Sequence, residues 1–459
     1  MADYQLIIIG GGLSGLAAGI RAARFGQKVL ILEQHLQPGG LNSYYFRRGV
    51  LLETGLHAMT NFAPPGEKHA PLNRLFRQLK LSRRDFKTHE QLCSEVVFPG
   101  RSLRFSNDPS LLTEEISRQF PGAVDAFIRL REELLNYDPF TAAPRRSTRT
   151  FLSAILRNRQ LEDMLLLPLM VYGNSEEHDM DLAQFVIMFR AIFQEGFFRP
   201  PGTIREFLAM LVAQYERFGG RIRYRAPVRR LLMEGDVVQG VVLADGEEIT
   251  CESLLSTIGI PGTAELARWP LDVAGYCGRM SFMETITLLP PARSKAIKND
   301  RTIIFYNRRE DFSYCRPETA VDPSWGVICF PGNFQGLPAA ETFQVRVTNA
   351  ANYDIWKRAD KEEYQRLKSE WIAKSAAGVR KIIGNYQQDI VYENSFTPVT
   401  IERFTAKAAG AVYGSPVKFK DGRTPCPNLF IAGTDQGYLG IVGSMLSGVT
   451  IVNRYLLGN

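Results

Sequence analysis

The chain has six cysteines, Cys93, Cys251, Cys277, Cys315, Cys329 and Cys426, and no CxxC pair among them. That scatter excludes a zinc ribbon, an iron–sulfur cluster and a disulfide framework, and it suits a reducing compartment. No stretch approaches the roughly twenty apolar residues that a bilayer-spanning helix needs. The N-terminus has Asp3 and a strand-length apolar run where a signal peptide would have a basic segment and a longer hydrophobic core. A cytoplasmic protein, at most peripheral to a membrane, is therefore expected. Metal-ligand clusters, a Ser-His-Asp order and nucleic-acid motifs are all missing, so neither metal chemistry nor hydrolysis nor nucleic-acid binding is expected. Internal repeats and low-complexity tracts are absent too.

The 459 residues are too many for one ordinary core and imply two or three domains. With 45% hydrophobic and 22% charged residues the chain is globular and not disordered. A net charge of +7 is modest at this size and is compatible with contact to an anionic membrane surface.

The first thirty residues carry the strongest signal. Leu6 to Ile9 is a continuous apolar run, as in a parallel strand buried on both faces. Gly10, Gly12 and Gly15 follow at GxGxxG spacing: a tight turn, room for a pyrophosphate against the backbone, and close helix–strand packing. The pattern predicts a helix from about Leu13 to Phe25, its positive end facing the phosphates. Lys28 to Leu32 reads as a second strand, and Glu33 at its end suits the adenosine ribose hydroxyls and disfavours a 2′-phosphate. Strand, glycines, helix, strand and acid in this order point to an adenine dinucleotide.

Further along, Pro201-Gly202-Thr203 precedes a predicted helix from Ile204 to Phe218, and residues 229–249 alternate like a small meander. Asn428 to Asp435 is a third piece, with Asp435 just past a buried strand, and is followed by a small-residue helix from about Gly440 to Leu456. The expected fold class is α/β: a Rossmann-type domain assembled from three discontinuous segments, 1–64, 201–269 and 396–459. Residues 65–200 and 270–395 supply an α+β substrate domain with a mixed sheet and helical insertions.

Several further motifs carry a family resemblance. Leu32-Glu33-Gln34-His35, Gly39-Gly40, Gly49, Glu53-Thr54-Gly55 and His57 resemble, in order and spacing, the two-dinucleotide-binding-domain flavoproteins of the phytoene desaturase, carotenoid isomerase and retinol saturase branch. So do Thr397-Pro398, Gly410-Ala411-Val412-Tyr413-Gly414 and the segment from Gly433 to Gly448. The resemblance spans the chain and implies FAD. It implies that Gly39 and Gly40 pass close to the cofactor, that Val228 presents its backbone to the adenine, and that Asp435 bonds the ribityl hydroxyls, with Gly440 leaving room for the flavin. Leu13, Ser14, Gln34, Leu41, Gly55, His57, Gly433 and Ile441 complete the implied contacts. An N-cap is the plain alternative for Asp435. Two departures stand out: Leu41 occupies a position where many members have arginine, and Pro201-Gly202-Thr203 replaces a double glycine.

The resemblance places His57 near the flavin edge, where it is the one candidate for proton shuttling, with a structural role as the alternative. Tyr413 is expected either to line a substrate cavity or to pack in the core. Hydride transfer needs mainly a carbon–hydrogen bond held against the flavin, so few acid–base candidates are required. The implied substrate is an apolar isoprenoid or polyene, with an unknown electron acceptor. Phe185–Phe193 with Arg190 and Arg199, and the basic amphipathic stretch Leu72–Arg84, are candidates for a membrane surface, against the simpler readings of a core helix and a solvated face. An amine-oxidase-like enzyme with a smaller polar substrate and a non-catalytic prenyl-lipid escort protein are the competing readings. Retention of Glu33, Gly39, Gly40 and Asp435 argues against the escort.

Overall fold

The computed structural model describes residues 2–141, 143–297 and 300–457; Met1, Ala142, Lys298, Asn299, Gly458 and Asn459 of the expected segments lie outside them. Two seven-stranded sheets organise the chain. In the first, strands Leu429–Ile431, Glu248–Ser256, Tyr4–Ile9, Val29–Leu32 and Arg221–Arg223 run parallel, side by side in that order. Strands Val228–Glu234 and Val237–Leu243 extend it antiparallel from the start of Glu248–Ser256.

The apolar run at the N-terminus is explained by two covered faces. Leu6 and Ile8, with Val29 and Ile31, pack under helices Leu13–Ala23, Ile204–Arg217 and Gly440–Ile451. Ile7, Ile9, Leu30 and Leu32 face Leu231, Val238, Val241 and Leu243 of the meander. Alternate residues of one strand thus fill two cores, which leaves no room for the polar alternation of a half-exposed strand. Helix Leu13–Ala23 lies so close to its strand that a Cβ on Gly15 would sit 2.1 Å from the Gly10 carbonyl oxygen. The helices end close to the expected bounds, at Ala23, Arg217 and Ile451; a π-helical turn at Val452–Leu456 completes the last.

The second sheet has the order Tyr392–Phe396, Ser281–Leu289, Phe343–Ala351, Val321–Cys329, Ile303–Asn307, Ser94–Phe98 and Arg101–Phe105. It is mixed: Ile303–Asn307 pairs parallel with Ser94–Phe98 and the other neighbours are antiparallel. Both insertions contribute strands to it. One face carries the largest core, built with helices Val124–Asn136, Thr148–Leu156, Arg159–Gly173 and Leu182–Phe189. Helix Lys361–Ile383 covers the other face.

The Phe185–Phe193 segment belongs to that core and not to a membrane interface. Phe185, Val186, Met188, Phe189, Ile192 and Phe193 are all buried, and Arg190 donates to the carbonyls of Leu134, Leu135 and Tyr137. A helix apolar on all sides signals enclosure rather than a surface. Pro71–Leu79 differs: Leu72, Leu75, Phe76 and Leu79 are buried while Arg74 and Arg77 are exposed. Among the described residues no helix is long and apolar enough to cross a membrane.

Candidate active site

The C-terminal ends of the parallel strands open onto one cavity of about 490 Å³. Such an edge is where ligands bind in open α/β sheets, and the volume falls within the range of roughly 300–1,000 Å³ usual for ligand pockets. Gly10, Glu33, Thr257 and Gly433, each just beyond a strand, form its floor. Leu13, Ser14, Gly440 and Ile441 bring in two helix N-termini. Neither helix has a side-chain cap or an acidic residue in its first turn, so their free N–H groups remain available to the cavity. Gly39 adopts φ +117°, and the chain there runs against Gly12, with Gly39 N–H donating to the Gly11 carbonyl at 2.9 Å. A Cβ on Gly12 would meet no protein atom within 4 Å, so the glycine keeps open space beside the backbone. A dinucleotide with its anionic pyrophosphate fits this cradle.

Of the residues expected to bind a cofactor, Gly10, Gly12, Leu13, Ser14, Glu33, Gln34, Gly39, Gly40, Leu41, Gly55, His57, Val228, Gly433, Gly440 and Ile441 line the cavity. Gly15 and Asp435 do not. Gly15 is consumed by helix–strand packing. The Asp435 carboxylate accepts from Ile260 N–H at 2.7 Å and Ser415 N–H at 2.9 Å, and it borders a neighbouring pocket instead. It therefore satisfies the start of helix Ile260–Ala267 from across the fold rather than capping a helix of its own segment. Burial pushes this carboxyl up, but Lys407, Lys418 and those two N–H groups outweigh burial and hold it below its ordinary value. Glu33 is also buried and held: Gly11 N–H donates to Oε2 at 2.8 Å and His35 N–H to Oε1 at 2.9 Å.

Away from the glycines the cavity becomes apolar, walled by Val171, Tyr172, Phe197, Phe282, Val327 and Val412. Tyr413 lines it too, its hydroxyl donating to the Val171 carbonyl at 2.5 Å. At this end stands His57, delivered by the chain that follows the hairpin Tyr44–Arg47/Val50–Glu53. Its Nε2 lies 2.9 Å from Glu284 Oε2, and the Tyr172 hydroxyl lies 3.4 Å from its Nδ1. Glu284 is also ion-paired with Arg346 and accepts from the Thr348 hydroxyl at 3.2 Å. Burial pushes the Glu284 carboxyl up; the charge of Arg346 and the hydrogen bonds from His57 and Arg346 overcome burial and keep it low. Arg346 donates in addition to the carbonyls of Glu53, Thr54 and Leu56, so one guanidinium fixes both the acid and the backbone leading to His57. Glu53 pairs with Arg199 and accepts from Ile204 N–H at 2.6 Å.

Sequence reasoning found His57 and missed Tyr172, Glu284, Arg346 and Arg199 as a unit. The available signal was charge out of place: Glu284 sits in Ser281–Leu289, a strand whose nine residues are all buried.

Behind the wall, Thr60 donates to Asn61, whose Nδ2 donates to Glu195 at 2.7 Å. Burial raises the Glu195 carboxyl from 4.5 to about 7. The folded state thus binds this proton more tightly than the unfolded chain, so the stabilisation is complete below pH 4.5 and is lost as pH rises through about 7. Glu195→Gln is expected to flatten that part of the stability profile, read as unfolding midpoints between those pH values. An undiminished slope would place the titration elsewhere.

The fold and the cavity together define an α/β protein with a glycine-lined cradle at the C-terminal edge of its parallel sheet. Residues 13–306 match the flavin containing amine oxidoreductase family, and the chain belongs to it. It is a flavin-dependent oxidoreductase. The resemblance to the retinol saturase and carotenoid isomerase branch is borne out by curated relatives. The all-trans-retinol 13,14-reductase of Danio rerio is 23% identical over 99% of this chain and 87% of its own length. The chloroplastic prolycopene isomerase of Daucus carota is 42% identical over 14% of this chain and 10% of its own length. Among solved structures, an oxidoreductase from Methanosarcina mazei shares the fold with a TM-score of 0.67, at 15% identity, covering 98% of this chain and all of that one.

Proposed function

We propose that the protein binds FAD in the glycine-lined part of the cavity and acts on carbon–carbon bonds of a long apolar isoprenoid or polyene held in the rest. The observation that carries this reading is the character of the far end: aliphatic and aromatic walls, with the His57–Glu284 pair beside them. A small polar amine would leave such walls unsatisfied and would itself be poorly solvated there. Full-length similarity to a retinol reductase supports the same substrate class. In this reading 1–64, 201–269 and 396–459 form the cofactor domain, and 65–200 and 270–395 form the substrate domain. Bound flavin supplies hydride transfer, by which such bonds are desaturated, saturated or, without net redox change, isomerised. The chain's own part is to hold the polyene in place, keep water out and manage one proton. The exposed arginines of Pro71–Leu79 suit contact with an anionic bilayer from which a polyene would be drawn.

The protein purified in mild detergent is expected to be yellow, to release FAD on denaturation, and to float with anionic but not neutral vesicles. A colourless protein that takes up no added FAD would contradict the cofactor assignment. Flotation independent of lipid charge would contradict the basic contact.

A further inference from the structure

Tyr172 lies in helix Arg159–Gly173, far in sequence from the glycine motifs, yet its hydroxyl reaches His57 on the apolar wall. Its ring is fixed edge-on by Phe197 and Phe305 at centroid separations of 5.7 and 5.2 Å. Tyr172 and His57 both line the cavity, and the hydroxyl lies 3.4 Å from His57 Nδ1. Burial holds the phenol well above its ordinary value, so it stays protonated and neutral at rest. On the other side of the imidazole, Glu284 is kept ionised by Arg346 and accepts a hydrogen bond from Nε2–H. The row is Tyr172 hydroxyl, His57, Glu284, Arg346, ending in the backbone carbonyls of Glu53, Thr54 and Leu56.

We propose that this row is a proton relay, with Tyr172 as the group that exchanges a proton with substrate carbon and His57 and Glu284 as the residues that position and recharge it. The inference rests on the reading of the cavity as a carbon–carbon bond site. In desaturation, one carbon–hydrogen bond breaks with its electron pair leaving as hydride to oxidised flavin. The neighbouring carbon–hydrogen bond breaks by loss of a proton to the phenol oxygen, its electron pair becoming the new π bond. As that proton arrives, the Tyr172 proton moves to His57 Nδ1, and the resulting imidazolium is stabilised by Glu284. Saturation would be the reverse and would start from the imidazolium: a reduced flavin would supply hydride to one carbon, the Tyr172 proton would go to the other, and the Nδ1 proton of the His57 imidazolium would restore the phenol, leaving His57 neutral. The 3.4 Å hydroxyl contact is at the long end for a hydrogen bond, and such contacts tighten when substrate fills the site. A hydroxyl donor suits this apolar wall because it delivers a proton without placing a resting charge against the polyene.

Two measurements on the full-length, FAD-loaded protein test the relay. In 15N-histidine NMR, Tyr172→Phe is expected to shift the Nδ1 resonance of His57 and leave Nε2 in place. An unmoved Nδ1 would mean that the hydroxyl does not engage His57, and would overturn the proposal. With all-trans-retinol as probe, Tyr172→Phe is expected to keep binding within about twofold by fluorescence quenching. Turnover should fall by roughly 10²–10⁴-fold, the usual span for a lost general acid or base, together with the wild type's solvent deuterium isotope effect. Turnover within a few-fold of wild type, with that isotope effect intact, would overturn the relay. Wild-type protein that neither binds nor converts retinol or lycopene would instead count against the substrate reading, and the NMR shift would still decide whether Tyr172 engages His57.

Discussion

Arg346→Met is expected to destabilise the protein by about 3–5 kcal/mol, the usual cost of breaking a buried ion pair by removing one partner. Arg346 is fully buried and its loss would leave the Glu284 carboxylate without its counter-charge. Three carbonyls, of Glu53, Thr54 and Leu56, would lose a donor in the same step. Unfolding in urea, followed by tryptophan fluorescence, measures the effect. Adding Glu284→Leu to Arg346→Met should recover part of it, because the orphaned charge is then gone while the carbonyls stay unpaired. A loss below about 1 kcal/mol for Arg346→Met would mean that water or another cation replaces the guanidinium, and that the chain before His57 is held by something else.

Glu33→Ala is expected to weaken FAD binding by roughly ten- to a hundredfold, equivalent to about 1.5–3 kcal/mol for a hydrogen bond to a charged acceptor. The buried carboxylate also organises the cradle itself, through Gly11 N–H and His35 N–H, so part of the loss comes from a looser glycine turn. Glu33→Gln separates the two contributions: it keeps one acceptor oxygen toward the backbone while giving up the charge. Flavin affinity measured by fluorescence quenching on the apoprotein is the readout. Unchanged affinity in both variants would show that no ribose hydroxyl reaches Glu33.

The cofactor cradle was legible because its signals are local. The run Leu6–Ile9, the glycines and Glu33 lie within one contiguous β-α-β unit, and each residue's reason depends on its near neighbours. The second sheet was not legible in the same way. Its parallel pair joins Ser94–Phe98 to Ile303–Asn307, about 200 residues apart, and periodicity carries no information on which distant strands meet. The ion-paired cluster follows from that same non-local register. Glu284 stands opposite Thr348 and Ile286 opposite Arg346, so Glu284 and Arg346 are diagonal neighbours on one face of the antiparallel pair. A lone acid and a lone base in two apolar strands are visible in the sequence, but their meeting depends on pairing that the sequence does not announce. Asp435 shows the same limit: its place after a buried strand was read from the motif, whereas its bonds to Ile260 and Ser415 come from other parts of the chain.

The central claim is that one cavity holds the flavin and a polyene together so that electrons pass between them. The most direct test is an anaerobic titration of the dithionite-reduced, FAD-loaded protein with all-trans-retinol or lycopene, with flavin and polyene absorbance followed in one spectrum. The account predicts that a polyene band is lost or shifted: in step with flavin reoxidation, mole for mole, for saturation, or with the flavin still reduced for isomerisation. Oxidised protein should bleach its flavin with a less desaturated isoprenoid such as phytoene if desaturation is the direction. Flavin and polyene bands that both stay unchanged in all of these, while the oxidised flavin is reduced rapidly by a small polar amine, would contradict it.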